Sequence, residues 1–280
     1  MKPLRQRMIE DLQIRNYADA TIEVYIRSVA QFSQHFGKSP AMLGLEEIRT
    51  YQVYLIREKK VSYSTLNIIV TALRFFYMKT LKRDWDVRMI PYARKPKKLP
   101  TVLSQEEIVS LLCAISNIKH RAIVMTMYAG GLRVSEVAAL RIDDIDSKRM
   151  LIHVHQGKGK KDRLVPLSVK LLETLRHYYR VTKPRDWLFP GQNPECHINR
   201  ATINHIVKRA SVSAIGKRIS PHTLRHSNAT HLLEAGVNIR VVQGLLGHGR
   251  LSSTDVYSHV TRKRVTATKT PLDMLDCADL

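Results

Sequence analysis

The chain has 280 residues, 44% of them hydrophobic and 25% charged. That is enough apolar mass for a well-buried core, divided between two modest domains, and it excludes a disordered chain. Lysine and arginine total 46 against 24 acidic residues, a formal charge of +22, so the surface repels itself unless a polyanion meets it. Nucleic acid is the leading partner, with plain solubility as the alternative reading of the charge. No stretch approaches the ~18 apolar residues of a membrane span. The opening MKPLRQRMIEDLQ has no continuous apolar core of the kind a secretory signal needs, so the sequence predicts a cytoplasmic protein with no membrane partner. Cys113, Cys196 and Cys277 are odd in number and far apart, without the paired spacing of a disulfide framework or a zinc site, and are expected to be reduced thiols.

In chain order, the first ninety or so residues read as helices. After Asp19, a candidate cap, Ile22, Tyr25, Ile26, Val29, Phe32 and Phe36 step by three and four and share one face. Leu45, Ile48, Gln52 and Leu55 repeat the period less cleanly. A third segment opens at Ser64, with Leu66, Ile69, Leu73, Phe76 and Tyr77 on one face and Asn67, Thr71 and Arg74 outside it, free to meet a phosphate backbone. YARKPKKLPT, residues 92–101, carries two prolines and four bases and reads as an exposed basic linker, either one that lets two domains close around a duplex or a merely soluble hinge.

A second domain starts at Ser104, where Ser-Gln-Glu-Glu puts a hydroxyl cap three residues before Glu107. Another helix runs to Gly130-Gly131, and a new one follows through Val134, Val137, Ala138 and Leu140. Leu151 to His155 and Arg163 to Leu167 are strand-like and flank the polar turn Gln156–Asp162, which predicts a basic β-hairpin. Helices then cover Leu171 to Tyr179, Asn199 to Ala210, Pro221 to Ala235 and Ile239 to Leu246, with Gly236 and Gly247 as stops.

The segment SPHTLRH carries chemistry. Pro221 starts a helix whose free amides favour an anion, and His222 and Arg225, three apart, project toward it; a capping histidine beside a surface arginine fits the same fragment. His222 and His226 have the spacing of two metal ligands one turn apart. Position 223, however, is threonine where zinc hydrolases place a glutamate base, and no third ligand is evident. His153 and His155 share a strand face with the same lack of support, so no metal site is predicted. Adding GGLRVSE, GKGK, LLGHG and VYSH brings two arginines, a lysine, two histidines and a tyrosine into one domain, which is the set that attack on a phosphodiester without a metal requires.

At this point the sequence resembles the tyrosine recombinase family, phage integrase and Xer-type, over nearly its whole length and most strongly from Leu99 onward. The likeness rests on order as well as type: GLRVSE, GKGKKDRLVP, SPHTLRH, LLGH, then Tyr257 nine residues after His248. It implies a mainly α protein with a small β-sheet. A helical, SAM-like core-binding domain is expected at 1–91, a linker at 92–101 and an α+β catalytic domain at 102–280. It implies that Arg133 and Arg225 clamp the phosphate oxygens, that His222 and His248 bond the phosphate or aid proton transfer, that Lys158 protonates the leaving 5′ oxygen and that Tyr257 is the nucleophile. Glu136, one turn past Arg133, would orient it or a neighbour. No cofactor is implied. Asn228 in HSNATH, where the family usually has an aromatic or apolar residue, and Gly249 after His248, where serine is common, depart from the pattern.

The acidic tail after Thr270-Pro271, with Leu272, Leu275 and Ala278 among three aspartates, would be repelled by DNA. The resemblance implies that the tail, 262–280, docks on a neighbouring protomer in a tetramer holding two double-stranded sites, or on a related recombinase; docking onto its own domain is the alternative. The resemblance also implies a minimal version without an additional arm-binding domain. Asn67, Arg74, Lys160, Lys161 and Arg240 are the candidate DNA contacts. A type IB topoisomerase, which relaxes DNA without joining new partners, and a non-catalytic architectural DNA-binding protein are the other readings.

Overall fold

The computed structural model describes residues 2–86, 89–94, 100–155, 162–247 and 270–271. The chain divides into two units, 1–98 and 99–280, each with its own hydrophobic core.

The first unit is helical. Helix α1 (Lys2–Ile14) precedes the first periodic stripe in the sequence and buries Met8 and Leu12. Helix α2 (Asp19–Phe36) starts after Ala18, which is extended, so Asp19 is the first helical residue rather than the cap; its carboxylate still faces the positive end of the helix dipole. Helix α3 (Leu45–Arg57) is followed by α4 (Tyr63–Phe75), whose cap is Ser62. The Ser62 hydroxyl accepts from the Thr65 amide at 3.1 Å, which moves the start ahead of the expected Ser64. A π-helical turn, Phe76–Thr80, continues α4 and sinks Tyr77, whose hydroxyl donates to the Pro40 carbonyl at 2.6 Å. Phe32, Ile48, Leu66, Val70 and Leu73 complete the core.

The sequence pattern predicts that Asn67 and Arg74 on the outer face of α4 are free, and in the structure they are engaged by the chain at 90–93. Asn67 Nδ2 donates to the Ala93 carbonyl at 3.0 Å and its Oδ1 accepts from the Ala93 amide at 2.8 Å. Arg74 donates from Nε to the Ile90 carbonyl at 2.8 Å and lies 4.0 Å over the Tyr92 ring. Ile90 is buried and Ala93 packs on the core. The stretch expected to begin a linker at residue 92 is therefore laid along the first unit through Ala93. The reason is that an extended backbone with unpaired polar groups found side-chain partners on α4.

The second unit begins with the expected capping box. The Ser104 hydroxyl accepts from the Glu107 amide at 3.3 Å, and the Glu107 carboxylate accepts from the Ser104 amide at 3.0 Å. Helix α5 (Gln105–Cys113) leads to α6 (Ile118–Gly130), buried all round from Ala122 to Gly130 and hence the central element of the unit. After the short α7 (Val134–Ala138) come three antiparallel strands in the order β1 (Ile145–Asp146), β2 (Leu151–Val154) and β3 (Arg163–Pro166). The hairpin forms as expected, each strand ending one residue sooner, with Val154 opposite Arg163. The two-residue β1 is too short to show a period in sequence. Helices α8 (Val169–Thr182), α9 (Arg200–Ile215) and α10 (Pro221–Glu234) pack around α6. Helix α11 (Ile239–Leu246) lies on a smaller apolar cluster of Leu151, Leu232, Val242, Leu245 and Leu246.

Among the described residues no helix is long and apolar enough to cross a membrane. Replacing Asn67 by Ala should release residues 90–93 while leaving the helical core of the unit intact. The expected result is amide exchange at Ala93 faster by about fivefold or more, the worth of roughly one hydrogen bond, in a hydrogen-exchange experiment.

Candidate active site

Helix α6 ends where Gly131 takes the left-handed conformation, φ +57°, and the chain turns into α7 with Arg133 as its N-cap residue. One turn on, Glu136 bends back toward the start of its own helix. Its Oε2 accepts from the Arg133 amide at 2.8 Å and its Oε1 from Arg133 Nη1 at 2.6 Å. Arg163, the first residue of β3, meets the same carboxylate face on, donating from Nη1 to Oε1 at 2.9 Å and from Nη2 to Oε2 at 2.7 Å. Four donors thus fill a carboxylate whose side chain is only 4% exposed. Burial alone would raise its pKa, but the two guanidiniums and the Arg133 amide outweigh it and bring Glu136 down to about 2, ionised at any physiological pH.

Arg225, on the buried face of α10, completes the cluster. It is 5% exposed, and its pKa falls to about 10, first through desolvation and then through the nearby positive charge of Arg133. Its Nη1 donates to the Gly131 carbonyl at 2.6 Å and its Nη2 to the Leu246 carbonyl. Helix α11 stops at Gly247, φ +62°, and its last carbonyls are taken in succession: Leu245 by Arg163 Nε at 2.8 Å, Leu246 by Arg225, and Gly247 by Arg133 Nη2 at 3.0 Å. Carbonyls at a helix C-terminus lack intrahelical partners and sit at the negative end of the dipole, so three cations gather there. A guanidinium has five N–H donors; Arg133 and Arg225 each commit two here, which leaves donors for a phosphate.

The expected residues are distributed as follows. Arg133, Glu136 and Arg225 are brought together. His222 is exposed at the first turn of α10, beside Pro221 and one turn ahead of Arg225, and His226 is exposed one turn later. His155 Nε2 donates to Asp144 Oδ1 at 2.9 Å, and its Nδ1 lies 3.5 Å from Asp162. Among the described residues no group of three or more His, Cys, Asp and Glu is arranged to hold a metal ion. Arg240 is exposed at the first turn of α11, about 10 Å along the helix from Gly247. Lys158, Lys160, Lys161, His248 and Tyr257 lie outside the described residues, as does the tail beyond Pro271.

Arg163 escaped the sequence analysis, because an arginine at the foot of a lysine-rich turn looks like one more solvated base. The available signal was its place in the strand pairing, where position 163 shares a face with the inward Val165. Asn228 also has a task. Its Nδ2 donates to the Tyr128 and Ala129 carbonyls at 2.7 and 3.3 Å, capping the end of α6 beside Gly131.

A helical N-terminal unit followed by a helical unit with a three-stranded sheet and a buried arginine pair is the architecture of DNA strand-transfer enzymes of the integrase class. Residues 101–264 match the Phage integrase family and residues 4–87 the Phage integrase N-terminal SAM-like domain, so the chain belongs to the phage integrase family, the tyrosine recombinases. It is 48% identical over 98% of its length to y4qK of Sinorhizobium fredii, described as an integrase/recombinase, 90% of which is covered. It is 33% identical to the tyrosine recombinase XerA of Pyrococcus horikoshii, over 91% of this chain and 88% of that one. The fold is that of a lambda integrase tetramer solved on a Holliday junction, with a TM-score of 0.71 at 18% identity, covering 95% of this chain and 76% of that one.

Two outcomes test this geometry. Glu136 has a folded pKa below its unfolded one, so its stabilisation is fully present above the unfolded value near 4.5 and is lost as pH falls toward about 2. Urea unfolding across that window should show a steep acid loss in the native protein that the Glu136→Gln variant lacks. At Gly131, an added Cβ would meet Leu246 Cδ2 at 2.6 Å and Asn228 Oδ1 at 2.7 Å in a left-handed backbone. Gly131→Ala should therefore cost more than the ~1–2 kcal/mol of the backbone alone, read as a lower urea midpoint.

Proposed function

We propose that this chain cleaves and rejoins duplex DNA at specific sites through a 3′-phosphotyrosyl intermediate, with neither metal nor ATP. The observation that carries the reading is the pairing of Arg133 and Arg225 in one nearly buried cluster with donors to spare. A phosphodiester gains negative charge as it becomes five-coordinate, and planar guanidiniums in a water-poor site stabilise that charge better than the ground state.

In this reading the Tyr257 oxygen bonds to phosphorus while the bond to the 5′ oxygen breaks. Tyrosine ordinarily holds its proton up to pH about 10, so His222 and the surrounding cations assist its loss, and Lys158 returns a proton to the leaving 5′ oxygen. His248 hydrogen-bonds the phosphate. The phosphotyrosyl ester keeps the bond energy, so attack by a 5′ hydroxyl from the same or another duplex reseals the strand. Lys160, Lys161 and Arg240 serve as phosphate contacts on the approach to the site. Asn67 and Arg74 act on DNA at one remove, by holding residues 90–93. The solved relative on a Holliday junction is a tetramer; for this chain we infer a homotetramer, or a mixed assembly with a related recombinase, with the 262–280 tail docking between protomers.

The test uses nicked duplexes cut from the DNA flanking its own coding region. The native protein should form a covalent, detergent-stable complex with one of them in EDTA. Tyr257→Phe should retard the same duplex and form none. A covalent complex with the variant, or native activity lost in EDTA and restored by a divalent cation, would refute the mechanism.

A further inference from the structure

We propose that Arg163 is a positioning residue for strand cleavage, a third arginine that locks Glu136 against Arg133 and ties the start of β3 to the C-terminus of α11. The proposal rests on the strand-transfer reading above and assigns to Arg163 no contact with DNA.

Three observations carry it. Arg163 gives the carboxylate of Glu136 two parallel hydrogen bonds, at 2.9 and 2.7 Å, where Arg133 gives one from its side chain and one from its amide. A bidentate pair fixes the plane of the carboxylate as well as its distance. With that plane fixed, the Arg133 guanidinium has one place to dock, at Oε1, 2.6 Å away, and its other arm reaches the Gly247 carbonyl. Secondly, Arg163 Nε bonds the Leu245 carbonyl at 2.8 Å, one residue before the carbonyl that holds Arg225. One side chain thereby joins β3, α7 and α11. Thirdly, its side chain is only 10% exposed, and the turn at Gly247 fits around it: a Cβ there would lie 3.3–3.4 Å from the Arg163 Cδ, Nε and Nη1 atoms. A solvated surface base would be neither buried nor enclosed in this way.

The chemistry separates Arg163 from the two clamp arginines. With its Nη1/Nη2 fork on the Glu136 carboxylate and its Nε on the Leu245 carbonyl, neither edge of its guanidinium is left to grip a phosphate bidentately, so it acts through its neighbours. Without it, Glu136 would keep one guanidinium and one amide in a buried site. Burial would then draw its pKa upward from the present value of about 2, and protonation would loosen Arg133.

The experiment compares Arg163→Gln, Arg163→Lys and the double variant Arg163→Gln/Glu136→Gln with the native full chain. Covalent-complex formation on the nicked duplex is measured between pH 5.5 and 8.5. Arg163→Gln should slow it by about tenfold to a hundredfold, the range expected when a reacting group is misplaced by about an ångström, while DNA retardation changes by less than about threefold. The deficit should be partly relieved in Arg163→Lys, which restores the charge without the fork. Native rate in Arg163→Gln, or no relief in Arg163→Lys, would overturn the proposal.

Urea unfolding gives a readout that needs no activity. The pH at which the Glu136-dependent part of stability disappears should rise by about one unit or more when Arg163 is replaced; no movement would overturn the proposal even if the chain forms no covalent complex. If Arg163→Gln fails to fold, the double variant should recover folding because it removes the stranded charge with its partner, and failure to recover would count against the role.

Discussion

A single buried carboxylate ringed by arginines governs the second unit. Glu136 is filled by four donors, and the three guanidiniums around it are held in turn by three successive carbonyls at the end of α11. Burial first, and then repulsion from the neighbouring guanidiniums, makes Arg225 bind its proton less tightly than a free arginine. One carboxylate and a helix terminus worth roughly half a negative charge offset only part of three cations, leaving the cluster positive by between one and two charges. A phosphodiester carries one negative charge and approaches two as a fifth oxygen bonds. The surplus is thus matched to the proposed transition state more closely than to the ground state, the condition for catalysis by differential binding.

That cluster needs α10 in one register, and the helix is built to have only one. Its buried face is polar where a core helix is ordinarily apolar. Ser227 accepts from the Leu103 amide at 2.9 Å, and His231 reaches the Leu103 carbonyl at 2.9 Å with one ring nitrogen and the Tyr128 hydroxyl at 2.8 Å with the other. Since the backbone carbonyl can only accept, the nitrogen facing it donates and the other accepts from the tyrosine. Asn228 closes the end of α6. Apolar side chains would tolerate a small slide of α10 along α6; hydrogen bonds at 2.7–2.9 Å to fixed backbone groups do not. Asn228 departs from the apolar residue common at this place in the family the sequence resembles, and here it gives α6 a cap that an apolar side chain would not supply.

The sequence made most of the fold legible because most elements announce themselves locally. Ser104 with Glu107 and the glycines at 131 and 247 each reflect chemistry confined to a few neighbouring residues. The positions of Arg133, Glu136 and Arg225 relative to one another were legible through motif order. What escaped was non-local. The stretch 90–93 looks like a linker until α4 supplies partners from 16 to 26 residues away. Arg163 binds Glu136 across 27 residues and Leu245 across 82. A side chain whose partners are that remote is written in sequence as an ordinary basic residue.

Helix α11 shows why site and stability cannot be separated in this unit. Eight residues are too few to be helical alone in water. Its apolar support is the small cluster with Leu151 and Leu232, apart from the main core. The remaining constraint is at its C-terminus, where carbonyls that would otherwise need water are bonded by Arg133, Arg163 and Arg225. The arginines in turn would be too costly to bury without those carbonyls and Glu136. Each side of the arrangement therefore requires the other, and the helix can form in place only when the cations are in place. Preorganisation follows from that mutual dependence: the Arg133 and Arg225 donors are aligned by the same bonds that fold the element, which in the proposed reaction lowers the reorganisation these two side chains make when charge develops on phosphorus.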